Sequence, residues 1–191
     1  DDDIEPLPIR EEISFSRIKC ANHALAIQYV QVFSDLLDEW QTIFVKYITL
    51  HDNVTQAESQ VEACDDLLDV FVDDVAATVL LNNNNDRNSD EFRSYLGSKQ
   101  PYEIRRPVLG DELELVRGWI APLKASPNPA MNALGARGDD LCKNADAAVI
   151  VAANAKQELR TFLLIGEYSQ FIAKVNGTRK SIHGELGKAK H

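Results

Sequence analysis

Helix breakers are scarce in this chain. It has nine Gly and seven Pro in 191 residues, and the Pro fall at Pro6 and Pro8 and between Pro101 and Pro129. Long segments can therefore run as uninterrupted helix, which favours helix over sheet. Cysteine is scarce too. Cys20, Cys64 and Cys142 are an odd set without CxxC or other zinc spacing. A chain of this size does not need disulfide staples, so reduced, buried thiols are expected. No apolar run approaches the roughly 18 to 20 residues that cross a bilayer, so membrane insertion is not expected. The acidic start is unlike a basic, apolar export signal, and the chain reads as cytoplasmic. It opens on Asp1 rather than Met, a start compatible with a processed N-terminus.

Positive charge is in deficit, with 20 Lys and Arg against 30 Asp and Glu and a net charge of −10. That argues against a broad nucleic-acid surface, which needs clustered cations. Chemical motifs are missing as well. There is no Glu-x-x-His of the kind a di-metal bundle uses, no Gly-x-Ser-x-Gly, and no glycine-rich phosphate loop. No cofactor, metal or catalytic residue is assigned, and the chain reads as a non-enzyme.

What is present is helical periodicity. Hydrophobic residues make up 45% and charged residues 26% of the chain, an ordinary balance for a folded protein. From about Ile13 to His51, Leu25, Tyr29, Val32, Leu36, Trp40, Ile43, Tyr47 and Leu50 recur at spacings of three or four. These predict one long helix, with a stutter where Val32, Leu36 and Trp40 step by four twice. His51, Asp52 and Asn53 predict a break, since Asn53 can cap a new helix and Gln56 completes a capping box. The next helix runs to Leu81, with Val54, Val61, Leu68 and Val75 in one heptad column and Ala57, Cys64, Phe71 and Thr78 in the other. Residues 82–89 predict a polar loop, then a short helix capped by Asn88 and ended by Gly97, then an extended connection over 98–110. Asp111 with Glu114 predicts another cap, with Leu113, Val116, Ile120 and Leu123 as the apolar face that follows and Pro122 as its kink or end. Asn128-Pro129 predicts the entry to a last long helix, bent at Gly135, Gly138, Gly166 or Gly177.

The sum is an all-α, elongated helical bundle of four-helix or antiparallel coiled-coil type, with two long helices and shorter connecting ones. Residues 1–12 read as an acidic flexible arm, 13–187 as a single domain and 188–191 as a basic tail. The ends differ in sign: residues 1–12 hold six acids against Arg10, and residues 174–191 hold five Lys or Arg against Glu185.

Function is less legible. Glu58, Glu62, Asp65, Asp69 and Asp73 form a carboxylate strip, read either as a docking surface for a basic partner or as a solvated face. Leu25, Ile27, Val30 and Leu37 lie on a helix apolar on most sides, which suggests a self-association face. Cys20 with His23 is a ligand-like pair too small for a metal site. Arg137-Gly138-Asp139 spells an adhesion tripeptide inside a predicted helix, and Asn53-Val-Thr and Asn176-Gly-Thr match a glycosylation pattern by chance. A non-enzymatic interaction bundle, a homo-oligomer or the docking module of a protein partner, is the first expectation. A small-molecule binding or sensor bundle, with a cavity near Trp40, Tyr47 and Trp119, is the second. A carboxylate metal enzyme is the third.

Overall fold

The computed structural model describes residues 6–105 and 111–188. Every regular element among them is helical: α1 (Leu7–Ala21), a 3-10 turn (Ile27–Tyr29), α2 (Val30–Asn82), α3 (Asp90–Leu96), α4 (Pro101–Ile104), α5 (Asp111–Ala125), α6 (Pro129–Leu164) and α7 (Glu167–Lys188). The all-α class holds, and two helices dominate, α2 with 53 residues and α6 with 36.

The boundaries of α2 differ from the sequence expectation at both of its landmarks. The break falls earlier, after α1, where the Asn22 side chain donates to the Ile18 carbonyl at 3.1 Å and so competes with continued helix. Leu25 continues the helical spacing across this break, which is why the turn is hidden in the pattern. At His51–Asn53 the helix runs on. Two seven-residue columns explain why: Phe33, Trp40, Tyr47, Val54, Val61, Leu68 and Val75, and Leu36, Ile43, Leu50, Ala57, Cys64, Phe71 and Thr78. All fourteen side chains are buried or half-buried. A continuous seam outweighs three residues of modest helix propensity. Val32 is exposed and Phe33 carries the core position, so the steps from Phe33 to Ile43 run three, four, three, with no stutter.

The chain divides into two compact units: unit 1 comprises residues 1–54 and 155–191, and unit 2 residues 55–154. Unit 1 packs Ile9, Ile13 and Cys20 of α1 against Phe33, Leu36, Trp40 and Ile43 of α2 and Tyr168, Phe171, Val175 and Ile182 of α7. The expected flexible arm is helical from Leu7, and Ile9 is buried. Pro6 anchors it, its carbonyl accepting from Trp40 Nε1 at 3.0 Å. Unit 2 packs Leu68, Phe71, Val72, Val75 and Val79 of α2 with Phe92 and Tyr95 of α3, Ile104 of α4, Val116, Trp119 and Leu123 of α5, and Met131, Cys142 and Ala145 of α6.

Local chemistry sets the connections. Asn84 and Asn85 adopt φ of 51° and 60°, a left-handed conformation that Asn tolerates better than most residues, and so turn the chain after α2. Ser89, one residue beyond the expected Asn88, caps α3 by accepting from the Phe92 amide, and Gly97 ends it at φ 63°. The connection expected to be extended contains α4, at whose start the Gln100 amide donates to Glu103 Oε2 at 2.6 Å; residues 106–110 and the Asp111 side chain lie outside the described residues. Asn128 caps α6, its Oδ1 accepting from the Ala130 amide at 2.8 Å. The last helix breaks at Gly166, whose amide reaches back to the Thr161 carbonyl at 2.8 Å. A Cβ there would lie 2.9 Å from Phe162 Cα.

Candidate functional site

In unit 1 a cleft of about 470 Å³ opens between α1, the following turn, α2 and α7. Its floor is apolar and buried: Ala26, Phe33 and Ile182, with Cys20 beside them. Its rim is exposed and carries nitrogen: Lys19, His23 and His183, with half-buried Arg179. Helical spacing builds this arrangement. Ser16, Lys19, Cys20 and His23 follow one another by one turn or less on α1 and its continuation, and Arg179, Ile182, His183 and Leu186 do the same on α7. Arg179 bonds Glu12, so α1 and α7 are also joined by an ion pair between the oppositely charged ends of the sequence. Lys19 Nζ lies 5.2 Å over the Phe15 ring. Burial pushes the Cys20 thiol up, away from nucleophilic chemistry.

Unit 2 holds a second feature. Glu112, the second residue of α5, is 1% exposed, and among the described residues neither of its carboxylate oxygens has a hydrogen-bond partner. Asp69 Oδ1 on α2 is likewise buried without one. Arg105 Nη1 bonds Asp73 Oδ2 at 3.0 Å on the same side of α2. Burial, followed by the charges of Asp69 and Asp65, lifts the Glu112 carboxyl to about 7, with Arg105 opposing. The Asp69 carboxyl is raised chiefly by burial as well. Glu112 went unnoticed in the sequence because it is charged, yet Val116, Trp119 and Leu123 extend back to it by a step of four.

The expected docking strip is brought together on one flank of α2. At about 100° per residue, Glu58, Glu62, Asp65, Asp69 and Asp73 fall within about 80° of one another, from about 60° (Asp65) to about 140° (Asp73) away from the Leu68 direction. Glu58, Glu62 and Asp73 are exposed, whereas Asp65 and Asp69 are half-buried, so this is not a uniformly solvated face. A third face of α2 carries exposed apolar residues, Ala63, Leu67, Val70, Ala77 and Leu81, with Leu67 and Val70 each 51% and Leu81 78% exposed, interrupted at Asp74, which is half-buried and bonds Arg137 of α6.

The expected self-association residues do not share a helix face. Leu25 sits in the turn after α1 and Ile27 in the 3-10 turn, both exposed, while Val30 and Leu37 pack partly against the unit 1 core. Trp40 and Tyr47 belong to the core of unit 1 and Trp119 to that of unit 2, so the cavity of unit 1 has a different lining from the one expected. The Arg137-Gly138-Asp139 tripeptide is absorbed by packing: Arg137 bonds Asp74, Gly138 lies under the Phe71 ring, and Asp139 bonds Lys124 and Lys143. Among the described residues no three His, Cys, Asp or Glu side chains are grouped to hold a metal ion, and no helix is long and apolar enough to cross a membrane. Compared with family models, curated proteins and solved structures, the chain matches none.

Proposed function

We propose that the protein is a ligand-binding helical bundle whose unit 1 cleft takes an amphiphilic carboxylate. The observation that carries this reading is the pairing of a buried apolar floor with an exposed cationic rim in a cleft of about 470 Å³. Ligand cavities are commonly some hundreds of Å³, mostly apolar, with a few polar groups that orient the ligand. The floor would bury an acyl or similar chain. Lys19 would meet the acid head, since Arg179 is engaged by Glu12. On a chain of net charge −10, this local reversal of sign selects an anionic head over a cationic one.

The test is calorimetric titration with dodecanoate, dodecanol and a dodecyl trimethylammonium salt below their aggregation concentrations. Dodecanoate should bind saturably and most tightly, and Lys19→Ala should weaken it about tenfold, or ~1.4 kcal/mol. Dodecanol should be indifferent to that change. Equal binding of the cationic amphiphile, or no saturable binding of any, would falsify the reading.

The exposed stripe of α2 supports a second reading as a protein-docking module. Leu67 with Val70, and Ala77 with Leu81, are exposed apolar pairs at three- and four-residue spacing on either side of Asp74, the kind of surface a partner helix covers. Glu62, Asp66 and Asp73 border the stripe, and this charge favours a basic amphipathic helix over a second acidic copy. Binding of such a peptide should be weakened by Leu67→Glu. Light scattering showing a salt-resistant dimer abolished by the same change would replace the basic partner with a second copy.

A further inference from the structure

We infer that Glu112 is a one-proton switch in unit 2, neutral when α5 is packed against α2 and loosening that packing when it ionises. The ground is geometric. Glu112 Oε1, Glu112 Oε2 and Asp69 Oδ1 are three buried carboxylate oxygens without a hydrogen-bond partner among the described residues. Ionised carboxylates only accept hydrogen bonds, so these groups cannot satisfy each other. One proton on Glu112 removes a buried charge and turns an acceptor into a donor. The packing at stake is shared: Leu113, Val116 and Trp119 of α5 and Leu68, Phe71 and Val72 of α2 belong to one core.

Among the described residues, the charges acting on Glu112 are Asp69 and Asp65 of α2, opposed by Arg105 just after α4. Asp69 in turn feels Arg105, Asp65, Asp73 and Asp66. Arg105 bonds Asp73, which divides its influence. The N-terminus of α5 itself favours the ionised form. Burial and the two aspartates act the other way, and push the carboxyl up from 4.5 to about 7. Because the folded value is the higher one, the stability that neutral Glu112 contributes is fully present below about 4.5. It is lost as pH rises through about 7.

The experiment is carbon NMR of the full chain with labelled glutamate carboxyls, followed from acid to alkaline pH beside equilibrium unfolding. One signal should titrate near neutrality and be absent in Glu112→Gln, and stability lost by the wild type on approaching neutrality should be retained by that variant. In Asp69→Asn the neutral-range midpoint should move towards the ordinary carboxylate range. That second variant keeps the idea testable should Glu112→Gln not fold. Titration of every glutamate in the ordinary carboxylate range overturns the inference. So does an Asp69→Asn midpoint that does not move, or the same pH dependence in Glu112→Gln. Saturable stabilisation by Mg²⁺, Ca²⁺ or Mn²⁺ at neutral pH, lost in Glu112→Gln, would replace the proton with a metal ion.

Discussion

Gly138 shows how narrowly individual positions are constrained. A Cβ there would lie 2.6 Å from Phe71 Cζ, and the ring sits in the centre of the unit 2 core. Gly138→Ala should therefore destabilise by about 1 to 3 kcal/mol through overpacking. Gly177, in α7, has nothing within 4 Å of such a Cβ, and Gly177→Ala should stabilise by up to about 1 kcal/mol through helix propensity alone. Thermal or denaturant unfolding of the pair checks both signs. Leu68, fully buried, should cost about 2 to 5 kcal/mol on change to Ala, while exposed Asp66→Ala should stay within about 0.5 kcal/mol. Asp69, one position beyond Leu68, is not the neutral control that its place in the acidic strip suggests. Its buried Oδ1 lacks a partner.

Among the elements, α2 separates what the sequence could say from what it concealed. The two heptad columns were legible as residue identities, and the half from Val54 to Thr78 read correctly because Leu68, Phe71 and Val75 are large and regularly spaced. In the other half Leu36, Trp40, Ile43, Tyr47 and Leu50 were legible too, and one position was misplaced by choosing Val32 over Phe33, adjacent apolar residues between which periodicity alone cannot decide. Polar residues at His51–Asn53 then resembled a break, although Leu50 and Ala57 kept the seam. The structure gives a sharp test. If a helix began near Asn53, proline there would be tolerated in its first turn; inside α2 it removes a hydrogen bond and clashes with the preceding turn. Asn53→Pro should cost about 3 kcal/mol or more, and a loss below 1 kcal/mol would restore the two-helix reading. The cleft was hidden for a different reason. Its lining is drawn from α1, a turn, α2 and α7, and their meeting follows from tertiary packing.

For the molecule as a whole, the relevant facts are its two cores and its excess of negative charge. A ligand that binds only the folded form stabilises it by mass action, by about 2.7 kcal/mol at one hundred times its dissociation constant. Dodecanoate at that excess should raise the unfolding midpoint of the wild type and much less that of Ile182→Glu, which puts a like charge on the cleft floor. An equal rise in both would place the bound amphiphile elsewhere. Glu12→Ala removes the partner of Arg179 in an exposed pair. It should change stability by no more than about 1 kcal/mol, the change shrinking as salt screens the contact.

The distribution of thiols has a practical consequence. Cys20 is buried beside the cleft of unit 1, Cys142 is buried in the core of unit 2, and Cys64 is only half-buried, all three as free thiols. Burial raises the pKa of Cys20 and of Cys142 and so keeps both short of reactive thiolate. The chain thus carries native clocks for opening, readable by the rate at which a thiol reagent modifies each site in turn. Cys64 should react first. Dodecanoate should slow Cys20 and leave Cys142 unchanged. Passing from pH 6 to 8 should speed Cys142 in the wild type more than in Glu112→Gln, the difference measuring how often unit 2 opens when its buried acid loses its proton.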